Sequence, residues 1–322
     1  MTLTRANLAS LCLLLTGCGG YANFTLPLVP GGDPAMTFRF QAQPAPVLKR
    51  GHFADALNPS VSGNLNLYSV FDGVTWHTAL ATSVDGQSWS PQGIVLSPDA
   101  GTWEGPYIAA NGSLLQASGQ LWYWYQAGPR GRHRIGLARS ADAKSWRKEP
   151  GPVLDHGPVG AWDERVVADP YVIRSDPYFY LYYLGQDRAV RQRLGVARSS
   201  DGLHWEKLRV NPILDLGGDG AFDEAGLGEP AVWQSHGFYW MLYTGRDVRE
   251  FRRLGLARSI DGVHWTKLPT VFSGDQSWDS KVICDPTVVV NGDRIQVWFG
   301  GGDAASPDEN LHGQIGFGTL VK

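Results

Sequence analysis

Three stretches of the chain repeat one pattern, and that repeat limits the possible folds more than any other feature. Ala161-Trp162-Asp163-Glu164-Arg165-Val166-Val167-Ala168-Asp169-Pro170-Tyr171-Val172 returns sixty residues later from Ala221, with Phe222 and Glu229-Pro230 in place, and again from Ser277, with Trp278 and Asp285-Pro286. Each copy opens on an aromatic residue and, eight residues on, reaches a proline that follows an acid and leads a β-rich run. A length of 322 residues would ordinarily suggest two domains. A repeat spanning the chain argues for one large repeat-built domain instead.

A second repeat, Ser-x-Asp-x-x-x-Trp, is more regular. It occurs at Ser83-Asp85-Trp89, Ser140-Asp142-Trp146, Ser199-Asp201-Trp205 and Ser259-Asp261-Trp265, with starts 57, 59 and 60 residues apart. In three copies the Asp precedes Gly, which accepts the positive φ of a tight hairpin turn. The pattern is read as a structural turn with a packed Trp; the alternative is four sugar or metal sites.

From Thr37 onward no helix-period segment appears, and short aromatic and β-branched runs alternate with Gly, Asp and Pro turns. One unit reads as strands 169–174, 178–185, 193–199 and 205–214, and the next as 229–234, 238–245, 253–259 and 265–272. Unit openings fall near Asn58-Pro59, Gly105-Pro106, Asp169-Pro170, Glu229-Pro230 and Asp285-Pro286. The last unit has only three strands before the chain ends, and Phe38-Arg39-Phe40 through Pro46-Val47-Leu48 matches the missing fourth. The expectation is an all-β, five-bladed β-propeller of four-stranded antiparallel blades over residues 37–322, its ring closed by the N-terminal strand.

The first eighteen residues read as a targeting segment. Arg5 supplies positive charge, residues 8–15 an apolar core too short to span a bilayer, and Leu15-Thr16-Gly17-Cys18 a small-residue cleavage site ending in Cys. This resembles a bacterial lipoprotein signal, which implies that Cys18 is lipidated and the chain exported to the periplasmic or cell-surface side of the envelope. An ordinary secretory signal is the alternative. Residues 19–36, rich in Gly, Pro and small side chains, read as a tether. With Cys12 removed and Cys18 lipidated, Cys284 is the only remaining thiol and no intrachain disulfide can form. A formal charge of −3 offers no basic surface for nucleic acid.

In a propeller the innermost strands all start at one end of the central axis, so acids far apart in sequence converge there. That end is expected to carry Asp55, Asp169, Glu229 and Asp285, with Trp103, Trp162, Phe222 and Trp278 in the loops around it. Crowded carboxylates push one another's pKa values apart, and aromatic faces stack on sugar rings. Together they point to a carbohydrate substrate and glycosidic chemistry.

The architecture resembles the five-bladed glycoside hydrolases of families 43, 32 and 68, the arabinanase, xylosidase, invertase and levansucrase group. The resemblance implies a catalytic set of Asp55, Asp169 and Glu229: Glu229 as general acid, Asp169 tuning it, and Asp55 as base or nucleophile. Strict alignment on proline puts Asn58 rather than an acid at the first strand start, with Asp72 or Glu104 as other sources of a base. Arg188, Arg246 and Arg132 could bind a carboxylate or phosphate, as phosphorylases of the similar family 130 require, or could be solvated loop charges. His312 could support a channel cation such as Ca2+, as in some family 43 members; otherwise no cofactor is expected. Cys284 reads as a small buried residue beside Asp285. The chain is expected to act as a monomer. The competing readings are a phosphorylase or transglycosylase on the same scaffold and a non-catalytic glycan-binding envelope protein.

Overall fold

The computed structural model describes residues 20–322, and among these described residues there are strands, turns and loops and no helix. Cys18 and the rest of the expected signal segment lie outside the described residues. Two short strands, β1 (Tyr21–Ala22) and β2 (Arg39–Ala42), precede a series of antiparallel meanders. The first meander is β3 (Asp55–Ser62), β4 (Leu65–Phe71), β5 (Trp76–Thr82) and β6 (Ser90–Leu96). The second is β7 (Ala109–Ala117), β8 (Gln120–Ala127), β9 (Arg134–Ser140) and β10 (Arg147–Lys148). The third is β11 (Val166–Ser175), β12 (Tyr178–Gln186), β13 (Gln192–Ser199) and β14 (Glu206–Leu208). The fourth is β15 (Gly226–Ser235), β16 (Phe238–Arg246), β17 (Arg252–Ser259) and β18 (Thr266–Phe272). The last has three consecutive strands, β19 (Val282–Asn291), β20 (Arg294–Gly302) and β21 (Gln314–Val321). Strand β2 supplies its fourth by pairing antiparallel with β21, Arg39 opposite Val321.

Position in the meander decides composition. The second strands are buried along almost their whole length because sheets cover both faces, which is why β12 reads Tyr-Phe-Tyr-Leu-Tyr-Tyr-Leu-Gly without polar alternation. Outer strands such as β6 carry mostly exposed residues, as an uncovered edge requires. The expected fourth strand 205–214 is interrupted. Pro212 has no N–H for the ladder, and the Asn211 side chain takes over, accepting from the Val196 amide and donating to its carbonyl, both at 3.0 Å. Pairing resumes only as a bridge between Leu194 and Leu214.

The Ser-x-Asp turns prove structural. In each, Ser Oγ donates to the Asp carboxylate, which accepts two further amides of the turn, and the Trp indole donates to the turn's own carbonyl. The turn also ties sheet to sheet, since Gly86 O accepts from Trp298, Gly202 O from Trp124 and Gly262 O from the Tyr182 hydroxyl. Residues 20–36, expected as a tether, lie on the fold. Strand β1 pairs parallel with β14, and Leu26 is buried with its amide donating to Asp261 O. Burial of that side chain acts together with backbone bonds from Leu26 and Val29 to Asp261 and Ile260 to dock a segment that Gly and Pro content alone would leave free.

Candidate active site

Every innermost strand carries the same defect at the same depth. Register shifts interrupt the pairing between Leu57 and Ser60, Ala110 and Ser113, Ala168 and Tyr171, Gly228 and Ala231, and Cys284 and Thr287. At these bulges Asn58, Asn111, Asp169, Glu229 and Asp285 all take positive φ, between 45° and 52°. That conformation is costly for residues other than Gly, and bulges use it to re-aim a side chain. The acid-Pro pair therefore marks a bulge several residues inside the strand and not the strand's start. In the second meander the bulge is Asn111-Gly112, where a prolyl signature is missing, and the expected opening at Gly105-Pro106 falls in the preceding turn.

The bulges link the meanders in sequence. The Asn111 amide donates to Ser69 Oγ at 2.9 Å, the Asp169 amide to Gln126 Oε1 at 3.4 Å and the Asp285 amide to Thr244 Oγ1 at 3.2 Å, each on the second strand of the preceding meander. The Asn58 amide donates to Asp285 Oδ2 at 3.3 Å and so joins the first meander to the last. Two glycines make room for the carboxylates. A Cβ at Gly300 would lie 2.8 Å from Asp285 Oδ2, and one at Gly228 3.3 Å from Asp169 Oδ2.

Asp169, Glu229 and Asp285 line one cavity of about 360 Å3 together with Asn58, Asn111, Gln126, His133, Arg246 and Arg252. Burial, followed by the charges of Glu229 and Asp285, holds the Asp169 carboxyl well above the usual range, against a weak 3.5 Å contact from Asn111 Nδ2. Burial and the Glu229 charge push Asp285 up to about 7, opposed by the Cys284 thiol donating at 3.0 Å, by Arg252 and by the Asn58 amide. Glu229 Oε2 is buried with no hydrogen-bond partner. Beneath the carboxylates a narrow space of about 30 Å3 is walled by the bulge prolines and Tyr171.

The cavity holds Asn58, Asp169, Glu229, Asp285 and Arg246 of the residues expected from sequence, and leaves the others elsewhere. Asp55 is fully buried behind the bulge, accepting the Gly313 amide at 2.8 Å and the Asn310 amide at 2.6 Å. It anchors the 303–313 loop and does not face Asp169 or Glu229 across the cavity. The four aromatics are pegs in glycine notches. Trp162 lies over Gly185 and Gly195, Phe222 over Gly245, Trp278 over Gly301, and Trp103 beside Gly136. Glu104 is buried, accepting from the Tyr125 hydroxyl and Lys148 Nζ, both at 2.5 Å. Asp163 and Asp223 repeat that trio with Tyr183 and Lys207, and with Tyr243 and Lys267. Arg188 is exposed and paired with Glu164 at 2.6 Å, outside this cavity. His312 pairs with Asp303 at 2.7 Å, and Asp72 with His77 at 3.1 Å, both away from it.

Sequence reasoning missed Asn111, Gln126, His133 and Arg252. Gln126 Oε1 accepts the Asp169 amide, so its Nε2 donates to His133 Nδ1 at 2.8 Å. Burial holds His133 down to about 4, neutral at physiological pH. Its proton is thus on Nε2, a buried donor without a partner at the cavity wall. His133 and Arg252, like Gln192, stand just before a run that the sequence repeats, Arg134 to Ser140, Arg193 to Ser199 and Arg253 to Ser259, and that shared position was the available signal.

Residues 65–212 match the sequence profile described as the glycosyl hydrolases family 32 N-terminal domain. The chain is 30% identical over 158 residues to "Uncharacterized protein MT1551" of Mycobacterium tuberculosis (strain CDC 1551 / Oshkosh), an alignment covering 46% of this chain and 52% of that protein. It thus spans about half the length of the curated relatives it matches. Among solved structures it is similar to a thermostable family-43 glycoside hydrolase (TM-score 0.61, 16% identity, 82% of this chain and 88% of that one). It is also similar to an α-L-arabinofuranosidase from Lactobacillus brevis (TM-score 0.65, 11% identity, 84% and 92%). A third is a β-1,2-mannobiose phosphorylase from Listeria innocua (TM-score 0.68, 12% identity, 89% and 97%). The chain has an all-β fold shared with propeller-type glycoside hydrolases and phosphorylases, with a family 32-like stretch at its centre.

Proposed function

We propose that the protein is a glycosidase on a five-bladed ring, acting as a monomer on a carbohydrate substrate through Asp169, Glu229 and Asp285. The observation that carries this reading is the convergence of three bulge carboxylates in one cavity, two of them with raised pKa values. A protonated carboxyl and an ionised one side by side supply the acid and the base of glycosidic cleavage. One carboxyl of the cluster donates its proton to the leaving oxygen, and a neighbouring ionised carboxylate takes the proton of the attacking water. Glu229 Oε2, buried with no hydrogen-bond partner, is free to take either part. Asp55 is outside this chemistry, since both its oxygens are held by loop amides.

His133 Nε2–H and Asn58 at the wall would hold sugar hydroxyls. The family 32-like stretch and the arabinofuranosidase likeness support hydrolysis. The phosphorylase likeness favours, as a second reading, phosphate in place of water. Export and anchoring through Cys18 complete the proposal, and Cys18→Ser should release the protein from the membrane fraction.

The test is glycan cleavage, with and without phosphate, by the wild type and Glu229→Gln. Loss of turnover by about 10²–10⁴-fold with sugar binding kept is expected. Unchanged turnover would sink the assignment, and turnover only with phosphate would select the second reading.

A further inference from the structure

At the cavity wall nearest Glu229, the fourth meander departs from the third. The last residue of the second strand faces the first residue of the third strand in both: Gln186 opposite Gln192 in the third, Arg246 opposite Arg252 in the fourth. All four line the cavity. Two like charges directly opposite on neighbouring strands are destabilising unless something lies between them.

The charges of Glu229, Asp285 and Asp308 reach Arg252 from a distance, but existing contacts leave its guanidinium without a carboxylate touching it. Arg246 donates to Glu250 at 2.9 Å and to Gln192 Oε1 at 3.0 Å, while its Nε is buried without a partner. Gly226 lets it pass, since a Cβ there would lie 2.6 Å from Gln192 Oε1 and 3.3 Å from Arg246 Nη2. Arg252, half-buried, donates only to the carbonyls of Ser306 at 3.2 Å and Pro307 at 2.6 Å, and among the described residues no carboxylate pairs with it. Arg130, the third cation of the wall, is already held by Asp308 at 3.2 Å and Glu309 at 2.6 Å. The loop carbonyls fix the Arg252 fork in place without neutralising it, which suits a planar bidentate partner.

We infer that Arg252, supported by Arg246 across the strand pair, receives a carboxylate of the sugar, so the substrate class is an acidic, uronate-bearing glycan. This rests on the glycosidase reading of the same cavity. A monoanion matches the one guanidinium of the wall that no carboxylate touches. A phosphate carries about −1.5 to −2 at neutral pH and would bring surplus negative charge beside three carboxylates.

The experiment compares binding of acidic and neutral oligosaccharides on a glycan panel, pairing each uronate-containing member with its neutral hexose counterpart, and titrates inorganic phosphate separately. The wild type should prefer acidic members by at least about tenfold, the scale of one charge-assisted contact. Arg252→Gln should bring that ratio close to one, and Arg252→Lys should restore part of it. Thermal melting of both variants, and the milder Arg246→Gln, separates lost recognition from lost folding. Equal binding of acidic and neutral members, or an Arg252→Gln ratio like the wild type's, overturns the inference while leaving a sugar site intact. Phosphate binding that depends on Arg252 without uronate preference overturns it in favour of phosphate. Failure of every glycan to bind sinks the glycosidase reading together with it.

Discussion

Replacing Lys207 by Met tests whether the acid that follows each repeated aromatic is scaffold or chemistry. Lys207 Nζ sits 2.6 Å from Asp163 Oδ2, and the Tyr183 hydroxyl donates to the same oxygen at 3.1 Å. The pair is almost sealed from water, with side chains 6% and 1% exposed. Met keeps the aliphatic stem and removes the charge, leaving the Asp163 carboxyl buried beside one neutral donor. Removing one partner of a buried pair costs about 3–5 kcal/mol. At about 2.1 cal/mol/K of unfolding entropy per residue, a chain of roughly 300 residues should lose about 5–8 °C in melting temperature. Calorimetry on Lys207→Met, on Lys267→Met and on the double variant Asp163→Asn/Lys207→Met checks this. The Lys267–Asp223 pair has the same geometry with the lysine 28% exposed, so its loss should cost clearly less. The double variant leaves no buried charge and should regain at least half of the loss. A shift under about 2 °C for Lys207→Met, or loss of sugar binding without loss of stability, would refute the structural role.

Cys284→Ala removes the thiol that donates to Asp285, so the Asp285 pKa should rise and any activity limb it controls should move to higher pH, read from a pH–rate profile. Asp285→Asn should stabilise the protein at pH 8 relative to wild type while lowering activity. A carboxyl whose folded pKa is raised to about 7 contributes stability that is full below the unfolded value and lost as pH rises through the folded one. Denaturant melts at pH 5 and 8 give the sign. Ala143, at φ 63°, occupies the turn position that is Gly in the three sister copies, and Ala143→Gly should stabilise by about 0.5–1 kcal/mol in the same melts.

What could be read from the chain follows the range over which each signal acts. The Ser-x-Asp turns and the meander succession were legible because the turn's hydrogen bonds join residues two or three apart. Strand β2 completing the last sheet was legible from a fourth strand missing at one end and present at the other. Asp169 and Glu229 line one cavity but sit at bulges and not at strand starts, since a proline after an acid marks a bulge as readily as a strand start. That shift by a few residues turned Asp55 away from the cavity and hid Asn111, whose follower is Gly112 instead of Pro. Trp162 looked like a sugar platform because Gly185 and Gly195, which receive its ring, become its neighbours only through strand register. His133 and Arg252 depend on contacts with Gln126 and with the 303–313 loop that no repeat announces.

The pH dependence of kcat/KM for glycan cleavage, from pH 4 to 9, tests most directly whether the three bulge carboxylates perform the chemistry. The wild type should give a bell whose alkaline limb falls with an apparent pKa near 7, a property of the coupled cluster, as the proton held among Asp169 and Asp285 is lost. Asp285→Asn should move or remove that limb. A profile flat from pH 6 to 8 that Asp285→Asn leaves unaltered would contradict the assignment.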